Sequence, residues 1–129
     1  MSDDSLLAPI PDAAHHEVGG VQIDIVRAGA GRVRRVIYPT GFRWSTHMKP
    51  IIGGDSCQHA HVGFIVRGRI HIEYGDGCVH EFAAPQAFVI EPGHLGWVVG
   101  DESAVLIEFD FEGKTVETFG LAGAHTHAR

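Results

Sequence analysis

Between residues 21 and 119 no stretch carries the apolar period of a long amphipathic helix; short runs rich in Val, Ile and Phe are instead cut at close intervals by glycine. That rhythm commits the chain to short strands joined by tight turns, and so to an all-β sandwich or barrel. Strands are expected at 21–27, 34–38, 61–66, 70–74, 79–82, 87–90, 96–99, 104–111 and 115–119. Gly75-Asp76-Gly77 separates two of them, and because Asp and Gly tolerate positive φ it predicts a hairpin with antiparallel neighbours. In Val105-Leu106-Ile107-Glu108-Phe109-Asp110-Phe111 the odd positions are all apolar, while Glu108 and Asp110 interrupt the even ones. A strand with one wet face has that pattern.

At 129 residues the chain fits one domain with room for a substantial core. Residues 1–18 hold Pro9, Pro11 and paired Asp3 and Asp4 without a sustained period, and are expected to form an irregular leader. The domain proper is expected to span 19–121, with a flexible tail at 122–129. No apolar run approaches the ~18 residues that cross a bilayer, which argues against a membrane partner. A net charge of −6 argues against nucleic acid, and the one grouping of arginines, Arg32, Arg34 and Arg35, reads as a solvated strand end. The acidic start Met1-Ser2-Asp3-Asp4 lacks the character of a secretory signal, so a cytoplasmic location is expected. In that reducing compartment the two cysteines, Cys57 and Cys78, are expected as thiols, Cys78 as a small buried residue.

His59-Ala60-His61 stands directly before the apolar run 62–66. If the backbone is extended there, every second side chain shares a face, so His59 and His61 converge, and the same parity reaches back to Cys57 and Asp55. Nitrogen, sulfur and oxygen donors at that spacing suit a metal ion. Each residue also has a plainer use: a barrel histidine can satisfy a buried hydrogen bond, Cys57 can fill the core, and Asp55 beside Gly53-Gly54 can turn the chain. His47 follows Phe42 and Trp44, which can bring a histidine and aromatic walls to a pocket. His71 and Glu73 alternate on strand 70–74, and parity leaves open which way they face. His47, His71 and Glu73 are the candidates for a general base, together with Cys57 if it is not a ligand. His15, His16, His125 and His127 lie near the ends and carry no expected catalytic role, although His125-Thr126-His127 can scavenge metal.

Across residues 41–111 the chain resembles the cupin superfamily. Gly63-Phe64-Ile65-Val66-Arg67-Gly68-Arg69-Ile70 with the Asp76-Gly77 turn is similar to the first cupin motif, and Ala87-Phe88-Val89-Ile90-Glu91-Pro92-Gly93-His94 to the second. Taking Gly68 as the first motif's closing glycine sets His61 at the family's glutamate position and Cys57 and Asp55 at its two histidine positions. Taking His59 and His61 as the His-x-His pair sets Gly53 correctly but leaves Ile65 or Val66 at the glutamate position. In the second motif Gly93 matches, and His94 lies two residues before the expected histidine position, which Gly96 occupies. The resemblance implies a double-stranded β-helix (jelly-roll) barrel, a divalent metal, a small-molecule substrate or ligand, and a homodimer. The expected ligands are His61, His94, and His59 or Cys57. Imidazole with thiolate favours Zn or Fe, and Mn or Ni stay open. The expected function is a metal-dependent enzyme acting on a small organic substrate by dioxygenation, isomerisation, lyase or cyclase chemistry. The alternatives are a non-catalytic small-ligand binding or sensing barrel, and a purely structural metal closed by Cys57, His59, His61 and His94.

Overall fold

The computed structural model describes residues 4–123 and His125. Among these, nine strands form two antiparallel sheets. The larger contains β1 (Ala14–Val18), β2 (Val21–Ala28), β3 (Gly31–Tyr38), β4 (His61–Arg67), β7 (Gln86–Ile90) and β9 (Ala104–Asp110) in the order β1-β2-β3-β9-β4-β7. The smaller contains β5 (Arg69–Tyr74), β6 (Val79–Ala83) and β8 (His94–Val98) in the order β6-β5-β8. Three short helices interrupt them: α1 (Trp44–His47), α2 (Lys49–Ile52) and α3 (Thr115–Phe119). None is long and apolar enough to cross a membrane. The inner faces supply one core, with Ile65, Phe88, Ile90 and Leu106 from the larger sheet meeting Ile70, Ile72, Tyr74 and Val98 from the smaller.

The expected β architecture is present, with two local differences. The leader is not irregular throughout: β1 pairs with β2, returning at Gly19 and Gly20, both at positive φ. Gly19 has a second reason to lack a side chain, because a Cβ there would stand 2.5 Å from the His47 carbonyl oxygen. Residues 115–119 form a helical turn rather than a strand. The Thr115 hydroxyl accepts the Phe111 N–H at 2.9 Å and starts the turn, while Gly120, left-handed at φ 71°, ends it. Five residues without a partner strand have no ladder to join, so the local hydrogen bonds decide.

The wet face of β9 points inward. Leu106, Glu108 and Asp110 are 1%, 1% and 8% exposed, whereas Phe109 on the opposite face is 44% exposed. The cause lies on β3, where Arg34 stands directly across from Glu108 and Arg32 across from Asp110. Arg34 Nη2 donates to Glu108 Oε1 at 2.6 Å, and Arg32 donates through Nε and Nη2 to both oxygens of Asp110. Two arginines thus neutralise two carboxylates that would otherwise be too costly to bury. The arginine group is therefore no solvated strand end. Arg35, on the outer face, is 6% exposed and donates to Asp24 Oδ2 at 2.8 Å and to the carbonyls of Leu6 and Ala8, which binds the leader to the sheet.

Candidate metal centre

His61 opens β4, His94 opens β8 in the other sheet, and Cys57 lies beside His94 on a segment that joins the smaller sheet by one bridge. The bridge is two-way: Cys57 N–H donates to the His94 carbonyl at 2.8 Å and His94 N–H to the Cys57 carbonyl at 3.2 Å. Directly paired residues of an antiparallel ladder present their side chains on the same face. His61 reaches them from across the barrel. The ligand atoms of Cys57, His61 and His94 all lie within 4.8 Å of one another, and Cys57 Sγ is 3.7 Å from His61 Nε2.

The second nitrogen of each histidine is already committed. His94 Nδ1 is 2.7 Å from the Glu91 carbonyl oxygen, which can only accept, so Nδ1 carries the proton and Nε2 is left as the nitrogen able to bind a metal. His61 Nδ1 donates to Glu108 Oε1 at 3.1 Å, which turns its Nε2 toward Cys57. Gly63 makes that contact possible. It packs so closely on β9 that a Cβ would stand 2.0 Å from the Ile107 carbonyl oxygen, and His61 is thereby drawn against Glu108. A tetrahedral zinc with Zn–S of about 2.3 Å and Zn–N of about 2.05 Å has a sulfur-to-nitrogen edge of about 3.6 Å. The Cys57 to His61 separation fits that edge, and the anchoring of each imidazole by an acceptor on its far nitrogen is the usual arrangement around bound metals.

Charge prepares the same atoms. Burial alone would raise the Cys57 thiol, but hydrogen bonds and charge from His61 and His94 outweigh it and bring its pKa down to about 5. Burial alone would lower His61, but Glu108 and the Cys57 sulfur raise it to about 10. Burial alone would raise Glu108, but His61 and Arg34 hold it at about 2. The metal-free centre at neutral pH is therefore a thiolate and an imidazolium backed by a carboxylate. A metal ion held by Cys57, His61 and His94 would take the place of the proton on His61 Nε2.

These groups line a cavity of about 660 Å³ between the sheets. Val36, Phe42, Trp44, Ile72 and Leu106 supply apolar wall, and Arg34, Glu108 and Tyr38 supply the polar side. Glu108 Oε2 and Arg34 Nε are buried without a hydrogen-bond partner among the described residues. Burial first, then the negative charge of Glu108 and Cys57, raises the Tyr38 pKa and keeps its ring a neutral phenol.

Of the sequence-derived candidates, Cys57, His61 and His94 come together and the others do not. His59 is exposed and lines the cavity, but it is outside the donor group; β4 begins at His61, so strand alternation does not extend to residues 58–60. Asp55 is fully exposed and stands 3.7 Å from Lys49 Nζ. His71 and Glu73 alternate with buried Ile70, Ile72 and Tyr74, which puts them on the outer face of β5, with His71 stacked on Trp97 at 4.2 Å. His47 stacks on Phe42, and its Nδ1 accepts the Arg43 N–H at 3.0 Å; its aromatic neighbours reach the cavity and its own ring does not. Glu108 and Arg34 were not among the expected site residues. Their signal was the matched spacing of opposite charges two residues apart, Arg32 and Arg34 on one strand against Glu108 and Asp110 on another.

Two facing antiparallel sheets around one cavity match solved structures of a known architecture. The cupin domain of Schizosaccharomyces pombe Cnp3 superposes with a TM-score of 0.52 at 12% identity, over 87% of this chain and 78% of that one. This is a cupin fold. Hydroxypropylphosphonic acid epoxidase from S. wedmorenis, solved in complex with fosfomycin, shares the fold at a TM-score of 0.53 and 17% identity, over 84% of this chain and 61% of that one. The Fe(II) form of HppE gives a TM-score of 0.55 and 15% identity, over 83% and 61%. No family model matches the sequence, and no curated protein matches it. The cupin fold is thus carried by backbone arrangement at low sequence identity.

Proposed function

We propose that this cupin-fold protein is a metal-dependent enzyme acting on a small organic substrate held between its two sheets. The observation that carries the reading is the convergence of Cys57, His61 and His94 at the wall of the cavity, each histidine held by an acceptor on its far nitrogen. Three protein donors leave a coordination position for substrate or water, which separates an open centre from a closed structural one. One sulfur and two nitrogens suit Zn²⁺ or Fe²⁺, and HppE is an iron-bearing neighbour of the same fold. When bound, the ion supplies Lewis acidity or a site for oxygen, the chemistry that cupin-type dioxygenases, isomerases, lyases and cyclases share.

The chain's own groups have distinct tasks. Phe42, Trp44, Val36 and Leu106 exclude water and hold an apolar substrate body. Glu108 orients His61 through Oε1, and its Oε2 offers a second acceptor to a substrate hydroxyl or a proton in transit. The neutral Tyr38 phenol can donate from the same wall. The open outer face of the larger sheet, with Phe64, Val89 and Phe109 at 41%, 48% and 44% exposed, supports the homodimer reading.

A second reading rests on the line Cys57–His61–Glu108, which without metal has the order of a nucleophilic thiolate, its base and the group that orients the base. Metal analysis of tag-free protein separates the two. Under the metal reading the wild-type chain holds an ion that His61→Ala loses, and chelation lowers Tm only slightly while exposing Cys57 to alkylation. Unchanged metal content in His61→Ala overturns it. Alkylation of Cys57 at the same rate with and without added metal favours the thiolate reading.

A further inference from the structure

A second group of ligand atoms lies outside the cavity site. Tyr74 N–H donates to the Cys78 carbonyl at 2.9 Å, and Asp76 Oδ1 accepts the Cys78 N–H at 2.9 Å, so the Gly75-Asp76-Gly77 turn fixes Cys78 at the mouth of β6. His80 follows two residues later and shares its face. Their ligand atoms are already close, with Cys78 Sγ 3.5 Å from His80 Nε2. His125 arrives from the far end of the chain and stacks on Tyr74, with ring centroids 3.9 Å apart and planes at 11°. The ligand atoms of Cys78, His80 and His125 lie within 4.8 Å of one another, as do those of the cavity group.

Glu91 orients this group too. Its carboxylate Oε1 accepts from His125 Nδ1 at 2.8 Å, which leaves the ring's other nitrogen as the one able to bind a metal. Its carbonyl accepts from His94 Nδ1 in the cavity site, and its N–H donates to the Tyr74 hydroxyl at 3.1 Å. One residue thus anchors a histidine of each group, and the Tyr74 ring lies between them, 6.3 Å from His94 and 3.9 Å from His125. A carboxylate bound to a histidine that sits beside a cysteine and a second histidine is the pattern of a metal ligand with its outer support. The 3.5 Å sulfur-to-nitrogen separation again fits the edge of about 3.6 Å expected for tetrahedral zinc.

We infer that Cys78, His80 and His125 form a second divalent-metal site, of the thiolate-imidazole kind that takes Zn²⁺, whose ion ties residue 125 to the β5–β6 hairpin beside the cavity centre. Three donors leave one tetrahedral position to solvent. The site is independent of the proposed catalytic centre. The two share Glu91, but through different atoms, and no ligand.

The chain has two cysteines, so Cys57→Ser leaves Cys78 as the single thiol and makes a cobalt titration specific to this site. Tag-free, full-length Cys57→Ser is titrated with Co²⁺ and followed by thiolate-to-cobalt charge-transfer absorption in the near ultraviolet. The band is expected to saturate at one equivalent. Adding His80→Ala or His125→Ala should weaken the affinity at least ten-fold, adding Glu91→Gln should weaken it about 10–100-fold, and adding Cys78→Ser should abolish the band. Circular dichroism confirms that each variant is folded. Absence of the band in Cys57→Ser, or a band of unchanged affinity in the His125→Ala background, overturns the assignment. Neither result bears on the cavity centre, whose sulfur has been removed.

Discussion

At the scale of single residues, the site is a set of paired commitments. His61 and His94 can each act as a ligand because Glu108 and the Glu91 carbonyl hold the opposite nitrogen. Replacing Glu108 with Gln keeps an acceptor but removes its charge, and metal affinity at the cavity centre is expected to fall about 10–100-fold by competition with a chromogenic chelator. Asp24 offers a test away from the metal. Burial alone would raise its carboxyl, but His15 and Arg35 outweigh it and hold the pKa below the ordinary 3.8. The unfolded chain therefore takes up this proton first as pH falls, so the pair's contribution is present above about pH 4 and is lost as the pH drops through the lowered folded value. In urea melts, Asp24→Asn is expected to be less stable than wild type at pH 7, with the gap narrowing at pH 3. A gap independent of pH would contradict this. Residue types with ligand chemistry are legible in the sequence, and His59, His61, His94 and Cys57 stand out together. What singled out Cys57 over His59 was not legible, because it depends on where β4 begins.

At the scale of elements, most strands could be read because Val, Ile and Phe cluster between glycines and the Asp76-Gly77 turn fixes one hairpin. The misreadings share a cause. β1 has the exposed sequence Ala-His-His-Glu-Val, which carries no apolar period; only its pairing with β2 makes it a strand. The apolar residues of α3 fit either period over five positions, so the sequence alone suggests a strand there. On β9 the alternation was seen but its sense was inverted, since polar residues face outward by default and the arginines that reverse the rule lie more than seventy residues away. Gly63 shows how tightly these elements meet. Gly63→Ala drives a methyl group into the Ile107 carbonyl and is expected to cost about 1–3 kcal/mol, lowering Tm by roughly 5–10 °C in a thermal melt. It should also weaken metal binding, because β4 must move away from Glu108. A variant with wild-type Tm and metal affinity would show that the close approach of β4 to β9 is not needed.

At the scale of the whole molecule, two sheets share one apolar core and enclose a cavity whose wall combines apolar side chains with Arg34 and Glu108, while Phe64, Val89 and Phe109 are exposed on the outer face of the larger sheet. The cupin resemblance was carried by a few glycines and turns, and the structure bears it out as fold. Placing the donors required both sheets at once. If the outer face is a dimer surface, Phe64→Glu with Phe109→Glu should convert a dimer to a monomer in sedimentation equilibrium, whereas a wild-type chain that sediments as a monomer would leave that face without this role. The central claim is that sulfur from Cys57 and nitrogens from His61 and His94 hold one ion inside the barrel. The direct measurement is anomalous diffraction at the metal edge from crystals grown with Zn²⁺ or, without oxygen, Fe²⁺. A peak about 2.0–2.3 Å from Cys57 Sγ and the Nε2 atoms of His61 and His94 is the predicted result; a fully metallated crystal with no peak among those three atoms would contradict it.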